Sequence, residues 1–557
     1  MDEREIVKQI LDSYDEVSVI GEDDDIVFFL LKEKEYGFWY STIGNTTGSP
    51  IILVKNDDKY NYPHIMPLGI PLDKNKKDKY RFICLHESGS YIRFLQTYEE
   101  KIIDAIDRLI ELLLLTDLEI EEEFQKEFLY YWNDVAEEEL KIKLYIGKDR
   151  TFKRINTYLG NNATVRMVAN GIRLSDAEKT KDGNKIWRHQ PELPAFYIPI
   201  TDNRRILPPT RGKKWDSKNI LMIINGREFN RISEETYLQM SKEKIKTASV
   251  GLIFEMLVNG NSINFTAIVS FKSAANDTLL NKLKNEIKEV RIVRSKRVDY
   301  YHLSKQIGND TSLIGKKVLL VGAGSLGSYV AKELVKAGIC NLTIYDSDIL
   351  EDENVLRHSS DSLWVGWNKA SALKYDLEYI HPEICVNAIQ KDIDEFLLKE
   401  EMVKNDLVIF TVGSSDIQLA SNRVFKKEKY DKIVIYTWLE AGGTDSHILT
   451  VDYLEEGCFE CLFTNEKGEL VNNKANKFSD AIVESKAIRN SCGATRVAYG
   501  NSILLRTSST LLDTVQAVFA RKMYKSDLID ISPTQVIDQE NQFIEGKCRC
   551  CGDRDRE

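Results

Sequence analysis

Two close pairs of cysteines lie near the carboxyl-terminal end of the sequence and could bind a metal ion. Cys458 and Cys461 form one C-x-x-C pair, and Cys548 and Cys551 form another. Four thiolates from two such pairs make a tetrahedral zinc site, which is structural because no coordination position stays open for water. Cys550 could replace either member of the second pair. The pattern predicts a zinc ion that ties the carboxyl-terminal tail back to its domain.

Cys492 is a candidate nucleophile. It lies in Asn-Ser-Cys-Gly, after a long polar stretch at 464–491, so its thiol is expected to be exposed. A thiol must lose its proton before it attacks, and Arg489 or Arg496 could favour the thiolate. The alternative is a buried cysteine with a structural role.

Cys84 is a second candidate nucleophile, far from the first in the chain. It lies in 80–85, a run that predicts a strand, after the turn-rich stretch YNYPHIMPLGIP at 60–71. This order predicts a thiol at an exposed strand end. A lone cysteine on a strand is more often a small core residue, and that alternative stays open.

A glycine loop is the element around which a nucleotide site would be built. Gly322, Gly324 and Gly327 follow the apolar run 318–321 at G-x-G-x-x-G spacing, and a helical pattern and a second strand lead on to Asp346. Glycine permits a tight turn and close backbone approach, so a phosphate can bind at the helix N-terminus. An acid about 20 residues further on can accept a hydrogen bond from a ribose hydroxyl. The whole unit predicts a nucleotide site in a Rossmann-like domain.

Polar and cationic side chains follow this loop at positions suited to a triphosphate. An enzyme that adenylates a carboxylate needs cations to offset the charge that builds on the α-phosphate and on the departing pyrophosphate. Asn354, Arg357 and Lys369 meet this need, and a solvated charge is the alternative for any single Arg or Lys. Asp416, after the buried strand predicted at 406–410, is a candidate Mg²⁺ ligand, with a helix N-cap as its other role.

Composition and charge are those of an ordinary globular protein. The 557 residues suffice for about three or four domains of ~150 residues each. A net charge of −11 argues against nucleic acid or an anionic membrane as a partner. The acidic start is unlike a signal peptide, and the longest apolar run, around 112–115, is too short to span a bilayer. Nine cysteines, clustered toward the carboxyl-terminal end, indicate metal or catalytic thiols in a reducing cytoplasm.

The pattern of helices and strands predicts three domains of α/β character. Residues 1–135 predict a small α+β domain, and 301–557 predict the Rossmann-like domain. Residues 136–300 predict a mixed α/β docking or spacer domain, which includes a strand at 220–224 and a helix at 278–290.

The features of the last domain together resemble the ThiF/MoeB and ubiquitin-activating superfamily. The glycine loop, an Asp, an Asn-Val-Leu-Arg run, a lysine, a later Asp and two C-x-x-C pairs occur in the family's order. The resemblance implies ATP, Mg²⁺ and Zn²⁺ as ligands. It implies that Asp346 binds the ribose and that Asn354, Arg357 and Lys369 surround the triphosphate. Asp416 is the best match to the magnesium-binding Asp, in a Thr-Val-Gly-Ser-Ser-Asp context where the family has Thr-Asp-Asn.

The same resemblance implies a thioester and a dimer. In the family, a mobile segment at the position of Cys492 presents the cysteine that attacks the acyl-adenylate. The activating domains of the family dimerise, so a homodimer through 301–557 is expected. Lys305-Gln306 stands where the family often has Arg-Gln, an element that can reach into the partner protomer's site.

The N-terminal region resembles the ubiquitin-conjugating enzyme fold. Tyr62-Pro63 with Pro67, followed by Ile83-Cys84-Leu85, match the family's proline stretch and thioester cysteine in order and spacing. The family's His-Pro-Asn tripeptide is missing, so the oxyanion-stabilising group is unidentified. His64 or His86 could substitute, and a surface or structural role is the alternative for each.

An activating-like and a conjugating-like domain in one chain resemble the fused enzymes of bacterial type II CBASS antiphage operons. The resemblance implies a ligase that adenylates a protein C-terminal carboxylate, captures it on Cys492, passes it to Cys84 and conjugates it to an amine of a target, expected to be a lysine. In that family the carboxylate donor is a cGAS/DncV-like nucleotidyltransferase. One alternative is a ThiF/MoeB-type adenylyltransferase for a sulfur carrier protein, in which Cys84 is dispensable. An NAD-dependent oxidoreductase, which leaves Arg357, Lys369 and the cysteine pairs without a purpose, and a binding-only descendant are the others.

Overall fold

The computed structural model divides into two compact units. Unit 1 comprises Met1–Leu144, Arg150–Val168 and His189–Lys296, and unit 2 comprises Tyr145–Asp149, Ala169–Arg188 and Arg297–Glu557. The residues that the structure describes are 3–23, 25–40, 51–55, 62–67, 80–85, 96–160, 164–175, 187–209, 214–225, 231–440, 445–477, 487–491, 494–497, 499–520, 526–544 and 546–552. The division into three domains stays a prediction.

A six-stranded antiparallel sheet begins unit 1. The helices Glu3–Asp12 and Tyr98–Leu114 share one buried core with this sheet. Thr97 and Glu100 form a capping box at the start of the second helix, which satisfies backbone N–H groups that have no partner within the helix. In spatial order the strands are Val17–Asp23, Ile26–Leu31, Lys34–Trp39, Ile51–Lys55, Tyr80–Ile83 and Ile65–Pro67.

An eight-stranded sheet carries a second core, which is rich in aromatic side chains such as Phe128 and Trp132. In spatial order its strands are Arg188–His189, Lys153–Leu159, Ala195–Pro199, Ser249–Val258, Asn261–Phe271, Ile287–Arg297, Glu137–Tyr145 and Thr164–Ala169. Its helices are Asp117–Lys126, Phe128–Val135, Ser217–Ile224, Glu234–Lys242 and Leu279–Asn285, and Lys244–Ile245 pairs with Asp277–Thr278 in a short separate sheet.

Two predictions in this region are wrong. Residues 220–224 are helical rather than extended, because Asp216 caps a helix, Ser217–Ile224, whose isoleucines face the core at helical spacing. The helix predicted at 278–290 stops at Asn285, because Ile287–Arg297 pairs as a strand with the end of its neighbour in the sheet. In both cases tertiary packing outweighs the local pattern of apolar residues.

Unit 2 is a doubly wound α/β unit, which confirms the mixed α/β class. Val318 and Leu320 face one core and Leu319 and Val321 face the other, because successive side chains of a strand point to opposite faces of the sheet. In spatial order the first five strands are parallel: Cys385–Ile389, Asn341–Tyr345, Lys317–Val321, Leu407–Phe410 and Val434–Leu439. Three antiparallel strands follow: Ser446–Val451, Asp527–Ile531 and Val536–Asp538.

Helices cover both faces of this sheet. They are Tyr300–Gln306, Ser325–Ala337, Lys369–Ile380, Glu395–Lys404, Ser415–Lys427 and Asn501–Phe519. Short 3₁₀ helices lie at Thr311–Leu313, Asp352–Arg357, Ser362–Trp364 and Phe459–Phe463, and Ala487–Ser491 pairs with Ala494–Val497 in a small hairpin. Within the described residues, no helix is long and apolar enough to cross a membrane.

Candidate active site

The glycine loop needs each glycine for a different reason. Gly322 has φ +100°, a left-handed conformation that side chains rarely adopt. A Cβ on Gly327 would lie 2.5 Å from Thr411 Oγ1 and closer still to the Gly322 carbonyl oxygen, so only glycine fits there. Gly324 has open space around it, immediately before the helix Ser325–Ala337. The loop is therefore held tightly at its two ends and leaves room at the helix N-terminus for an anion.

Asp346 supports this loop from the end of the neighbouring strand. Its Oδ2 accepts a hydrogen bond from Ala323 N at 2.6 Å, and its Oδ1 accepts one from Asp348 N at 2.9 Å. Burial raises the pKa of Asp346 in spite of these donors. The predicted ribose ligand thus has a structural role in the described chain, with both carboxylate oxygens in contact with backbone.

A cavity of about 620 Å³ opens beside the glycine loop. Asn354, Arg357 and Lys369, which the sequence singled out separately, all line it together with Gly324. Asn354 is buried, and its Oδ1 accepts a hydrogen bond from the backbone N–H of Glu351 at 3.1 Å. Lys369 is the first residue of a helix, as predicted, and its Nζ lies 2.7 Å from Asp348 Oδ2. The fold therefore brings the three predicted polar side chains to one cavity.

Arg357 offers this cavity an unsatisfied donor. Its Nη1 donates to Tyr499 Oη at 3.2 Å, and its guanidinium carbon lies 5.8 Å from the centroid of the Tyr499 ring. Its Nε is buried and has no hydrogen-bond partner among the described residues. A buried donor left unpaired costs about 1–3 kcal/mol, so an acceptor bound here would recover that free energy. Phosphate oxygens are the acceptors that best match a guanidinium group, and the residues present fit a nucleoside triphosphate.

His358 is a site residue that sequence reasoning missed. It lines the cavity and is buried, and its Nε2 lies 2.8 Å from the carbonyl oxygen of Ala323 in the glycine loop. Its Nδ1 accepts a hydrogen bond from Ser360 N at 3.0 Å. Burial lowers the pKa of His358 to about 4. The ring is therefore neutral at pH 7, with its proton on Nε2, and it ties the loop to the segment that carries Arg357.

Asp416 does not join the other candidates. It lies exposed in the first turn of the helix Ser415–Lys427, and Ser414 occupies the N-cap position, so the N-cap role considered for Asp416 is wrong. Gln418, two residues further on, does line the cavity and donates from Nε2 to the Val412 carbonyl at 2.6 Å.

Aromatic and amide side chains form the rest of the cavity wall. Trp438 donates from Nε1 to Asn476 Oδ1 at 3.0 Å, which fixes one aromatic ring against one amide. The other members of this wall are Phe459, Phe463, Asn472 and Asn473. Unlike the residues beside the glycine loop, this wall carries no charge, so it suits an uncharged part of a substrate. The sequence contained no motif that would have gathered these residues.

The two cysteine pairs come together in the structure. The Sγ atoms of Cys458, Cys461, Cys548 and Cys551 all lie within 4.8 Å of one another. This set of four thiols matches the ligands that a tetrahedral zinc site requires. Cys550 lies outside the set, and its Sγ accepts a hydrogen bond from Asn422 Nδ2 at 3.3 Å. The geometry is compatible with zinc held by the four residues that the sequence predicted.

Removal of one of these thiols should remove the metal. We expect about one zinc ion per chain in the purified protein and a large loss of zinc in Cys458→Ser, because a closed site needs all four ligands. Elemental analysis of both proteins measures this, and Cys385→Ser is the control because Cys385 lies in a strand away from the cluster. Zinc retained in full by Cys458→Ser would rule out the four-cysteine site.

Cys84 lies immediately after the strand Tyr80–Ile83 and is partly exposed, in agreement with the strand-end prediction. Its backbone N–H donates to the His64 carbonyl oxygen at 2.8 Å. His64 has φ +68°, and Glu127 holds it there: one carboxylate oxygen accepts from the His64 backbone N–H at 3.1 Å and the other lies 2.8 Å from its Nδ1. Nε2 of the same ring lies 3.3 Å from Glu123 Oε2. His64 therefore shapes the turn beside Cys84 through its backbone, while its ring is held between two carboxylates.

This contact predicts a pH-dependent stability. Burial opposes the charge on His64, but hydrogen bonds to Glu127 and Glu123 outweigh it and raise the pKa of His64. The stabilisation is therefore complete below the unfolded pKa of about 6.5 and is lost as pH rises through the higher folded value. We expect Glu127→Gln to unfold about 2 kcal/mol more easily at pH 6, with a smaller difference at pH 9.

Urea melts of wild type and Glu127→Gln across this pH range provide the test, with the exposed Glu121→Gln or Glu122→Gln variants of the same helix as matched controls. A difference between wild type and Glu127→Gln that does not change with pH would contradict a protonated His64.

Two predicted elements contribute little to this picture. Cys492 and His86 lie outside the described residues, and the described chain on either side of Cys492 forms the strands of a small hairpin. Lys305 is exposed in the last turn of the helix Tyr300–Gln306. Cys340, by contrast, is buried, and burial raises the pKa of its thiol, as expected of a core residue.

Comparison with known proteins gives matches to the C-terminal region. Residues 306–540 match the model of the ThiF family. The ATP-dependent ubiquitin transferase-like protein Cap2 of Enterobacter hormaechei is 34% identical over 28% of this chain and 26% of its own length. Cap2 of Pseudomonas aeruginosa is 28% identical over 31% of each chain. Ubiquitin-like modifier-activating enzyme 5 of Caenorhabditis briggsae is 26% identical over 26% of this chain and 36% of its own length. The matched part thus spans little more than a third, at most, of these relatives.

Solved structures also match in part. The crystal structure of E. coli MccB with ATP has 18% sequence identity and a TM-score of 0.34, over 43% of this chain and 67% of that one.

Proposed function

We propose that this chain, whose residues 306–540 form a ThiF-family domain, is an ATP-dependent ubiquitin-activating-like ligase that adenylates the C-terminal carboxylate of a protein. The observation that carries the proposal is the cavity beside the glycine loop. Asn354, Arg357 and Lys369 meet there, and Arg357 presents a buried Nε with no hydrogen-bond partner in the described chain. A dinucleotide site for hydride transfer has no use for this set of side chains.

The residues of the cavity account for the first step. A substrate carboxylate attacks the α-phosphate of ATP, and the bond to pyrophosphate breaks. Arg357 and Lys369 offset the negative charge that grows on the phosphates, and Asn354 adds an amide donor. His358, neutral and held against Ala323, keeps the glycine loop in its place. Asp416 is the proposed Mg²⁺ ligand on the order of the motifs, and the magnesium ion would neutralise phosphate charge.

The second and third steps use thiols. The Cys492 thiolate attacks the acyl carbon of the adenylate, a thioester forms, and AMP leaves with the bonding electrons. The Cys84 thiolate then exchanges with this thioester, and a lysine amine of the target displaces the Cys84 thiolate to give an amide. Thioester exchange is nearly isoenergetic, so adenylation drives the whole sequence. The exposure of Cys84 at a strand end supports its role as the second carrier.

The partners and the domains follow from the same proposal. Residues 1–135 would be the ubiquitin-conjugating-like domain, 136–300 a docking domain and 301–557 the adenylation domain. The carboxylate donor would be a cGAS/DncV-like nucleotidyltransferase primed in CBASS antiphage defence. A homodimer through the adenylation domain and a cytoplasmic location complete the proposal.

The ThiF match also supports a second candidate, an adenylyltransferase for a sulfur carrier protein. The test incubates the chain with ATP, Mg²⁺ and either the nucleotidyltransferase or a small β-grasp carrier, and measures AMP release. AMP released only with the nucleotidyltransferase supports the ligase. AMP released only with the carrier, and undiminished in Cys84→Ala, would overturn it in favour of the second candidate.

A further inference from the structure

A row of side chains crosses three antiparallel strands of unit 2 beside the cavity. Trp438, His447 and Asp530 are cross-strand partners, so they lie on the same face of the sheet. The indole of Trp438 stacks on the imidazole of His447 with ring centroids 5.0 Å apart. The His447 side chain is completely buried. A fully buried histidine must have partners for both ring nitrogens, or it costs free energy.

Both ring nitrogens of His447 face a carboxylate. Nδ1 lies 2.7 Å from Asp530 Oδ1, and Nε2 lies 2.6 Å from Glu440 Oε1. Both carboxylates are themselves buried. A neutral imidazole has one donor and one acceptor nitrogen, so it would turn a lone pair toward one of these carboxylates. Only the doubly protonated ring satisfies both contacts.

The other charged groups around this ring fit that assignment. Lys477 lies with its Nζ 3.6 Å from Asp530 and 3.4 Å from Asp445. Its backbone N–H donates to both oxygens of Glu440, at 3.0 and 3.1 Å. Two cations therefore face three carboxylates, and a neutral His447 would leave a buried excess of negative charge. Burial alone would lower the pKa of His447, but the hydrogen bonds to Asp530 and Glu440 outweigh it and raise the pKa.

The cluster connects two segments that line the cavity. Glu440 directly follows Trp438 and Leu439, and Lys477 directly follows Asn476. Three of these four neighbours, Trp438, Leu439 and Asn476, belong to the uncharged wall of the cavity. The bond from Trp438 Nε1 to Asn476 Oδ1 joins the two segments once more, at 3.0 Å. The buried charges therefore fix the relative position of an aromatic ring and an amide that face the substrate.

We propose that His447 is a permanently protonated positioning residue that holds Trp438 and Asn476 in place as the part of the site that receives the acyl group. This assignment of the wall rests on the proposed adenylation, because the charged residues beside the glycine loop are used by the phosphates and leave the uncharged wall for the carboxylate substrate. His447 touches no substrate itself. It acts through the stacked indole and through Glu440, which fixes the backbone next to Asn476.

The protonation state is tested on the wild-type chain, without any acyl donor. Histidine labelled with ¹⁵N should show one ring with both nitrogens protonated at pH 8, above the ordinary histidine pKa of about 6.5. That signal should vanish in His447→Gln and persist in the control His189→Gln, whose histidine is exposed. If His447→Gln does not fold, Asp530→Asn serves instead and should lower the pH at which the ring loses its second proton. A neutral ring in the wild type at pH 7 would overturn the proposal.

The positioning role is tested by the accessibility of one indole. Acrylamide quenching of Trp438, obtained as the difference between each protein and its Trp438→Phe counterpart, should increase about twofold in His447→Gln because the ring loses the partner on which it stacks. Equal quenching of Trp438 in wild type and His447→Gln would mean that His447 does not hold it, and would overturn the proposal.

A third measurement separates this proposal from the proposed function. With the nucleotidyltransferase as acyl donor, His447→Gln should keep its affinity for an ATP analogue within about twofold and lose about tenfold or more in kcat/KM for the donor. An equal loss for both ligands would contradict a role at the acyl wall. Absence of any turnover in the wild type would count against the nucleotidyltransferase as donor, and the histidine and quenching results would still decide the role of His447.

Discussion

Replacing Cys492 by alanine is expected to leave ATP–pyrophosphate exchange intact and to abolish thioester formation. Adenylation uses the cavity beside the glycine loop and needs no thiol, whereas capture of the acyl group needs the nucleophile itself. Cys84→Ala should stop one step later, with the acyl group held on Cys492 and no transfer to a lysine. The loss of final conjugate should be complete in both variants. Intact mass under non-reducing conditions and pyrophosphate exchange measure the two steps separately.

The control for these variants is Cys385→Ala, which removes a partly buried thiol from a strand of the sheet and should keep all activities. Wild-type amounts of final conjugate from either Cys492→Ala or Cys84→Ala would contradict the relay of two cysteines. Conjugate lost in Cys492→Ala together with pyrophosphate exchange would mean that the substitution damages the adenylation site instead.

Arg357→Ala is expected to lower the rate of adenylation by about 10²–10³-fold, the usual cost of removing one donor that stabilises charge in a transition state. Its effect should be larger than its effect on folding, because the Nε of Arg357 has no partner in the described chain and its removal leaves no buried acceptor unpaired. Arg357→Lys should recover only part of the rate, since lysine keeps the charge and loses the planar fork.

Pyrophosphate exchange with the acyl donor present measures this effect, and thermal melting checks the fold. Arg423→Ala is the matched control, because the Arg423 side chain is 68% exposed and pairs with Glu460 away from the cavity. A loss of less than about threefold in Arg357→Ala would remove Arg357 from the adenylation site.

The Rossmann-like part of the fold was predictable because its signals are local. The apolar run 318–321, the glycine spacing and the helical repeat after it each constrain a few consecutive residues, and the strand–loop–helix unit forms as predicted. Lys369 opens its helix for the same reason, with Asn368 as the N-cap. The cysteine pairs were predictable from spacing alone, because two C-x-x-C pairs have few other uses.

The errors come from places where tertiary contacts decide. Residues 220–224 carry β-branched side chains that fit a strand, yet one capping Asp commits them to a helix against the core. The helical pattern at 278–290 gives way after Asn285 because an open strand edge is available for pairing. His358 and His447 were not identified because their partners are distant in sequence or belong to no known motif. A single histidine in a sequence does not reveal what buries it.

The central claim is that ATP drives formation of a thioester on this chain. The most direct test is intact mass of the wild-type protein under non-reducing conditions, after incubation with ATP, Mg²⁺ and the candidate carboxylate donor. The account predicts a covalent adduct with the mass of the donor minus one water, which needs ATP, is released by dithiothreitol and is altered by Cys492→Ala. Unmodified protein with every donor tested, or an adduct that forms without ATP or resists dithiothreitol in Cys84→Ala, would contradict it.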